Sequence, residues 1–198
     1  MTLTVEANGA RIPAIGHGTW TLRGDAAIRA VRSALEAGYR HIDTAAMYGN
    51  EAEVGEALRS QMTPRERFDR LFNRVMTAAE EGDTATVVNF TPMALGAYAQ
   101  LDTVNVDARY HAAVLNAQVG DFAAARTLAD TILMDVPGHL FGHVIRGEVA
   151  RIENDEATLA RAHREFLESY DAEMAANRVE YLEHRPVLER FRTEAGGR

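Results

Sequence analysis

Two histidines that could bind a metal ion, His139 and His143, stand four residues apart near the start of a predicted helix. This spacing would place both imidazole rings on one face of the helix, which is the minimum arrangement for a pair of metal ligands. A zinc-binding hydrolase helix also needs a glutamate after the first histidine and a third ligand, and neither is found nearby. We therefore predict surface or packing roles for these histidines and no metal site.

Other residue types exclude further chemistry. Glu80, Glu81 and Glu148 have no partner carboxylate at a recognisable spacing, so paired-acid hydrolysis is not indicated. The absence of cysteine excludes disulfides, thiolate catalysis and cysteine-ligated zinc. All 21 positive side chains are arginine, which excludes a Walker phosphate loop and every mechanism that needs a lysine amine.

Charge and hydropathy indicate the expected environment. The net charge of −8 argues against a general binder of nucleic acid or of anionic membranes, because such partners are held by basic surfaces. No run approaches the about 18 uninterrupted apolar residues of a membrane span. Residues 1–11 lack the basic start and the apolar segment of a targeting peptide. The expected location is the cytoplasm.

The elements that must position any site in the first 61 residues have the order of a parallel α/β sheet. A hairpin is predicted over residues 3–12, around the Asn8-Gly9 turn. Four elements with short connections follow and alternate between strand and helix: a strand over residues 14–20, a helix from Gly24 to Gly38, a strand over residues 41–43 and a helix over residues 51–58.

Five motifs in this segment occur in the order and spacing of a known family: the Asn-Gly hairpin, GHGTW at 16–20, GYRHIDTA at 38–45, YGNE at 48–51 and VGEAL at 54–58. On these motifs, residues 1–61 resemble the N-terminal portion of an aldo-keto reductase. Members of that family are (β/α)8 barrels, so the resemblance implies the hairpin plug and the first two of eight units. His17 is a departure, since the family usually has an apolar residue there.

The resemblance implies that a carbonyl group is reduced with NADP, while a tyrosine donates the proton with help from an aspartate, a lysine and a histidine. It assigns Tyr48 as the proton donor and Asp43 as the aspartate. It places four residues at the nicotinamide edge of the cofactor: Gly18, Thr19, Trp20 and Asp43. A tyrosine with a pKa of about 10 is a weak acid at neutral pH without a cation beside it. Because no lysine is encoded, we interpret Asp43 and Tyr48 as vestigial and expect no cofactor.

After Gln61 the pattern becomes helical. Thr63-Pro64-Arg65-Glu66 is a capping box with proline at the first helical position, and it predicts a helix that ends at Gly82-Asp83. The next helix contains Thr91-Pro92, which we expect to kink or restart it.

The most regular stretch is a helical hairpin from Tyr110 to Pro137, which Gly120-Asp121 interrupts. A fifth helix is predicted over residues 140–152, where Gly147 is small enough for a helix crossing. A long sixth helix is predicted to end at His184-Arg185-Pro186.

The predicted turns at Gly82-Asp83, Gly120-Asp121 and Asn154-Asp155 are separated by 38 and 34 residues, which suggests repeated hairpins. Residues 106–139 resemble a tetratricopeptide repeat at three places: Gly120-Asp121-Phe122 at the turn, Ala125 at the small position and Pro137 at the close. An irregular array of helical hairpins without true repeats is the alternative.

We therefore predict a mainly α fold, a tetratricopeptide-like array of helical hairpins preceded by a short βαβα segment that resembles the first quarter of a (β/α)8 barrel. The expected domains are residues 1–61, the aldo-keto-reductase-like fragment, and residues 62–198, the helical domain.

The predicted function is that of a non-catalytic protein-binding or scaffold module of the helical-repeat type. Stacked hairpins form a groove that suits a protein or peptide partner, with Arg109 and Tyr110 as candidate groove residues. A homodimer is a second expected assembly. One alternative is an NADP-dependent aldo-keto reductase with Tyr48 as proton donor, and another is an artificial or accidental fusion.

Overall fold

The structure, a computed structural model, describes residues 4–7 and 9–196. The chain divides into two compact units, Met1–Arg67 and Phe68–Arg198. Each unit has its own buried core.

The first unit contains two small sheets. Strands β1 (Thr4–Ala7) and β2 (Ala10–Pro13) form the predicted antiparallel hairpin, with Val5 opposite Ile12. Leu3 and Asn8, which belong to the predicted hairpin and its turn, lie outside the described residues. Strands β3 (His17–Gly18) and β4 (Ile42–Asp43) pair in parallel, as the alternating order of strand and helix predicted.

Each strand of the parallel pair is followed along the chain by a helix. Helix α1 (Gly24–Glu36) follows β3, and a 3₁₀ turn (Ala46–Tyr48) and helix α2 (Glu51–Ser60) follow β4. The core of this unit is small: its buried cluster consists of Val31 on α1 with Val54 and Ala57 on α2. Burial of so little apolar area stabilises the unit weakly.

The rest of the described chain is helical, so the molecule as a whole is mainly α. The helices are α3 (Pro64–Glu81), α4 (Thr84–Tyr98), α5 (Val106–Gln118), α6 (Phe122–Asp135), α7 (Leu140–Glu153), α8 (Glu156–Ala175), α9 (Val179–Glu183) and α10 (Arg185–Glu194). The capping box at the start of α3 is confirmed, because Glu66 N–H donates to Thr63 Oγ1 (3.2 Å) and Thr63 N–H donates to Glu66 Oε2 (2.8 Å).

Three turns in the helical unit have the same local structure. A residue with positive φ precedes an aspartate at Gly82-Asp83, Gly120-Asp121 and Asn154-Asp155. Each aspartate accepts a hydrogen bond of 3.0 Å from the N–H three residues later, which caps the next helix. Each aspartate N–H also donates to the carbonyl five residues earlier, at 2.8, 2.9 and 2.8 Å. The three predicted turns are therefore confirmed.

Two expectations about helix boundaries need correction. Helix α4 continues through Pro92 from Thr84 to Tyr98, so the predicted restart does not occur. The predicted sixth helix was too long, because α8 ends at Ala175 and Asn177 adopts a φ of +50°. Residues beyond that point form two shorter helices, α9 and α10, whose packing against α7 and α8 no local signal showed.

Close helix packing places two predicted residues in the core. A Cβ atom added to Gly147 on α7 would lie 2.4 Å from Cζ of Phe191 on α10, so only glycine fits there. Tyr110 is 5% exposed and stacks on Phe141 with 4.1 Å between ring centroids. Tyr110 is therefore a core residue, and its burial raises its pKa.

Candidate functional site

The carboxyl ends of β3 and β4 hold several of the predicted site residues together. Gly18 and Asp43 are paired in register. The Thr19 N–H donates to the Asp43 carbonyl oxygen at 3.0 Å, and the Thr19 hydroxyl donates to the same oxygen at 3.1 Å. Close approach of the two strands also needs Gly16, where a Cβ would lie 2.9 Å from Cγ of His41. The strand ends are therefore fixed relative to each other.

Asn50 fixes the loop that follows β3. Its buried side-chain amide donates to the carbonyl oxygens of Thr19 (2.8 Å) and Leu22 (3.1 Å) and accepts from the Thr44 hydroxyl (3.2 Å). Asn50 belongs to the YGNE motif at 48–51, but the motif predicted no role for it. A polar residue directly before the first turn of α2 was the available signal, although asparagine at that position usually caps its own helix.

Trp20 and Tyr48 lie side by side. Their ring centroids are 6.5 Å apart with 31° between the ring planes. Trp20 is 72% exposed, while Tyr48 is half-buried at the end of the 3₁₀ turn that Gly49 closes with a φ of +60°. Within residues 4–7 and 9–196, the Tyr48 hydroxyl and the exposed Asp43 carboxylate make no side-chain hydrogen bond. Both groups are therefore available to a ligand.

The predicted cofactor residues differ in how much surface they offer to a nicotinamide ring. A Cβ added to Gly18 would meet no atom within 4 Å, so the space above this residue is open. Trp20 adds an exposed flat ring, and Asp43 adds an exposed carboxylate. Thr19 differs from the others because it is completely buried and its hydroxyl is bonded to Asp43. Gly18, Trp20 and Asp43 therefore offer exposed surface that suits a nicotinamide ring. Thr19 cannot contact such a ring and instead holds the Asp43 backbone through its hydrogen bonds.

A dinucleotide also carries phosphates, which bind to cations or to backbone N–H groups. Arg23, three residues after Trp20, donates to the carbonyl oxygen of the preceding residue, Leu22, at 2.8 Å. This contact leaves the guanidinium tied to its own loop.

The imidazole rings of His139 and His143 lie next to different carboxylates. His139 is completely buried, its Nδ1 accepts from the Phe141 N–H at 3.3 Å, and its Nε2 lies 3.3 Å from Glu180 Oε1. His143 instead lies 3.4 Å from Glu165 Oε2. Burial lowers the pKa of both histidines, and the neighbouring carboxylates offset this only in part. Their observed positions are those of packing residues.

The helices that the structure describes include no candidate for a membrane span. None of them combines the length and the apolar character that a bilayer crossing requires.

Comparison with known proteins finds similarity in the first part of the chain. Residues 14–89 match the model of the Aldo/keto reductase family. Glycerol 2-dehydrogenase (NADP(+)) of Saccharomyces cerevisiae is 55% identical over 60 residues, which are 30% of this chain and 19% of that protein. Aldehyde reductase YPR1 of the same yeast is 40% identical over 94 residues, 47% of this chain and 30% of that protein. Human aldo-keto reductase family 1 member A1 is 48% identical over 62 residues, 31% of this chain and 19% of that protein. No solved structure matches the chain.

These matches support the resemblance of the first segment and correct two predictions. The predicted main function, a non-catalytic binding scaffold, is contradicted because the matching family model and the similar proteins are those of oxidoreductases. The expectation of no cofactor is likewise unsupported, since one similar protein is named for NADP(+). The chain spans only 17 to 30% of the length of these curated relatives. The family match also continues to residue 89, beyond the domain boundary expected at Gln61.

Proposed function

We propose that the first unit provides the proton donor and the nicotinamide side of an aldo-keto-reductase-type site, which reduces a carbonyl group with NADPH. The observation that carries this proposal is the position of Tyr48. Its ring lies beside the exposed ring of Trp20, next to the carboxyl ends of the parallel strands β3 and β4. These residues fall inside the segment that matches the family, and active sites of parallel β/α barrels lie at this end of the strands.

The residues divide into ligand contacts and supports. NADPH, when bound, supplies the hydride. The Tyr48 hydroxyl, which has no protein hydrogen bond among the described residues, donates its proton to the oxygen of the substrate carbonyl. Gly18 and Trp20 offer the open surface for the nicotinamide ring.

The supports are Thr19 and Asn50. Thr19 holds the end of β4, and Asn50 holds the loop that carries Trp20. Catalysis requires groups that keep their geometry, and these two buried side chains provide it.

Proton donation from Tyr48 needs a positive charge, because the ordinary pKa of tyrosine is about 10. Within these 198 residues every cationic side chain except histidine is an arginine. A guanidinium can lower the pKa of a nearby tyrosine through its charge, but it stays protonated and cannot relay a proton as lysine can. We therefore expect turnover that depends on Tyr48 and on electrostatic help from arginine alone.

The test combines cofactor binding with turnover in matched tyrosine variants. We expect saturable enhancement of NADPH fluorescence and oxidation of NADPH by a simple aldehyde. Tyr48→Phe should lower the turnover rate by about 10²-fold or more, since a general acid contributes about 10²- to 10⁴-fold, while NADPH affinity changes little. Tyr39→Phe is the control, because Tyr39 is an exposed tyrosine of the same unit whose ring contacts His17.

Two outcomes would contradict the proposal. One is the absence of saturable NADPH binding to the full chain. The other is an equal effect of Tyr48→Phe and Tyr39→Phe, which would show that Tyr48 is not the proton donor.

For the helical unit we propose a tetratricopeptide-like architecture, as a statement about fold and not about function. The support is the recurrence of one turn structure before α4, α6 and α8, together with Gly147 at a close helix crossing. Stacked hairpins with a repeated junction are the defining geometry of such arrays.

A further inference from the structure

Three side chains that are distant in sequence converge in the helical unit: Asp107, His111 and His184. Asp107 and His111 are four residues apart on α5, so they lie on one face of that helix. His184 joins α9 to α10, 73 residues after His111. Sequence spacing gives no signal for this convergence, which depends on the packing of the last two helices.

The three donor atoms form a compact triangle. His184 Nε2 lies 3.1 Å from His111 Nε2 and 3.1 Å from Asp107 Oδ1, and His111 Nε2 lies 3.6 Å from Asp107 Oδ1. A tetrahedral zinc ion with bonds of about 2.0–2.1 Å to nitrogen separates its donor atoms by about 3.3 Å. The observed triangle therefore has the dimensions of one face of a zinc coordination tetrahedron.

Hydrogen bonding alone does not explain this triangle. The Nε2 atom of a neutral histidine carries either one proton or one lone pair. If His184 Nε2 is protonated, its one proton can at most be shared between Asp107 and His111, which leaves both contacts of 3.1 Å as weak three-centre hydrogen bonds. If it is not protonated, it cannot donate to the Asp107 carboxylate. A cation at the centre would instead accept a lone pair from all three atoms.

The surroundings hold the rings in this arrangement. His111 stacks on Phe72 with 3.8 Å between ring centroids and 15° between ring planes. Tyr110 and Phe141 contact the His184 ring edge-on, at 5.0 and 5.1 Å. The His184 carbonyl oxygen also accepts from two backbone N–H groups at the start of α10, at 3.0 and 3.2 Å. The ligands are thus positioned by packing, as metal sites require.

We propose that Asp107, His111 and His184 bind a divalent first-row transition metal ion, with Zn²⁺ as the ion of best fit. Two imidazole nitrogens and one carboxylate oxygen suit this class of ion, and they leave a fourth position for water. The side chains are 14, 9 and 15% exposed, so the site is sheltered and still reaches solvent. The bound ion ties α5 to the junction of α9 and α10.

This site departs from the sequence-based prediction of no metal site. It is also independent of the proposed reductase function, because all its residues belong to the helical unit.

The test is a metal titration of the full chain after removal of metal with a chelator and dialysis. We expect calorimetry to show one Zn²⁺ per chain, and we expect Co²⁺ to give the visible absorption of a nitrogen- and oxygen-ligated ion. Ca²⁺, which prefers oxygen ligands, should not bind at this site. Zn²⁺ should also raise the midpoint of thermal unfolding, because it binds only the folded chain.

Matched variants locate the ion. Asp107→Asn and His184→Gln should each weaken Zn²⁺ binding by at least about 10-fold, since even loss of a supporting residue costs about 10- to 100-fold. His163→Gln, in the same unit and with its ring against Phe191, should change the affinity less than about two-fold.

The proposal is overturned if the wild-type chain binds no stoichiometric Zn²⁺, or if His184→Gln and His163→Gln bind it equally. Far-UV circular dichroism establishes that each variant is folded. If His184→Gln fails to fold, the Co²⁺ spectrum of the wild-type chain decides: nitrogen-ligated bands support the site, and the spectrum of hydrated Co²⁺ overturns it.

Discussion

At the scale of single residues, Asn50 connects three segments of the first unit. Its side chain joins the loop after β3 to Thr44 and to the start of α2. Asn50 is completely buried, and its removal would take away three hydrogen bonds. The carbonyl oxygens of Thr19 and Leu22 would each keep one other donor, because Thr19 also accepts from the Leu22 N–H and Leu22 also accepts from Arg23.

We expect Asn50→Ala to lower the free energy of unfolding of the first unit by about 1–3 kcal/mol, because it removes three hydrogen bonds that each contribute about 0.5–1.5 kcal/mol. Hydrogen exchange measured by mass spectrometry should show faster exchange of the α1 and α2 amides. Gln61→Ala, at an exposed position of the same unit, is the control and should leave this exchange unchanged. Equal exchange in the two variants would contradict the role assigned to Asn50.

His143 illustrates a second effect at this scale, the pH dependence of folding. Burial lowers its pKa in the folded chain below the unfolded value of about 6.5, although Glu165 acts in the opposite direction and Arg146 adds to the lowering. The unfolded state therefore binds more protons in this range. Stability is present above the unfolded pKa and is lost as the pH falls through it and toward the folded pKa.

We expect the midpoint of urea unfolding of the helical unit to fall between pH 7 and pH 5.5. Burial lowers the pKa of His139 and His163 as well, so the three histidines act in the same direction. His143→Gln should make the decrease shallower, because it removes one of the titrating groups. A midpoint that stays constant over this range in the wild-type chain would contradict the prediction.

At the scale of elements, the close contact of α7 with α10 depends on Gly147, which has no side chain. Phe191 is completely buried, and edge-on contacts with His163 and Phe166, both at 4.9 Å, hold its ring against Gly147. The ring therefore has no open space into which to move if a methyl group is added.

Gly147→Ala should lower the free energy of unfolding by about 1–3 kcal/mol through overpacking. Gly96→Ala provides the matched control, because Gly96 lies in α4, is exposed, and has no atom within 4 Å of an added Cβ. That change should be neutral or stabilise by up to about 1 kcal/mol, the helix preference of alanine over glycine. Urea unfolding followed by circular dichroism compares the two, and an equal effect would contradict the close crossing.

The aspartate caps are a second feature of the helical elements. The hydrogen bonds from Thr158, from its side chain and then from its backbone N–H, hold the pKa of Asp155 below its ordinary value. A carboxyl group with a lowered pKa stabilises the folded state above the unfolded pKa of about 3.9. This contribution is lost as the pH falls through the folded value.

We expect Asp155→Asn to retain the cap and to reduce the loss of stability below about pH 4. Asp155→Ala should instead lower the unfolding midpoint at pH 7 as well, because no side-chain acceptor remains for the Thr158 N–H. Thermal unfolding between pH 7 and pH 2.5 compares the three proteins. Identical behaviour of the asparagine and alanine variants at pH 7 would show that the cap contributes nothing.

At the scale of the whole molecule, the two units differ in the size of their cores. Among the residues that the structure describes, the buried cluster of the first unit has three members and the largest cluster of the helical unit has fifteen. Because apolar burial is the main stabilising contribution, the first unit should open more often than the second.

We expect the backbone amides of α1 and α2 to exchange with solvent faster than those of α5 to α8. Mass spectrometry of peptic fragments measures both sets in one experiment. NADPH should slow exchange in α1 and α2 selectively if it binds the first unit. Equal protection of the two units without cofactor would contradict the difference that the cores predict.

Local signals predicted much of this molecule. The capping box at Thr63, the glycine-aspartate turns and the short parallel strands are specified by neighbouring residues, so the sequence could show them. The motif around Tyr48 likewise indicated the family whose model matches residues 14–89, although the missing lysine led to the scaffold prediction that this match contradicts.

The other features depend on distant contacts. The early end of α8, the burial of Tyr110 and the meeting of His184 with α5 are set by how α9 and α10 pack. Periodicity describes one helix at a time, so it cannot show which partner covers a given face. Asn50 was underestimated for the same reason, since its bonds reach residues 28 and 31 positions away.

The repeated turn has a consequence for how this chain can change in length. Its hydrogen bonds reach five residues back and three residues forward, so each junction is held by residues that are close in the sequence. A cassette from Asp121 to Asn154 therefore begins and ends with compatible joints. Duplicating it in frame is therefore expected to add one helical hairpin that begins and ends with the same kind of turn.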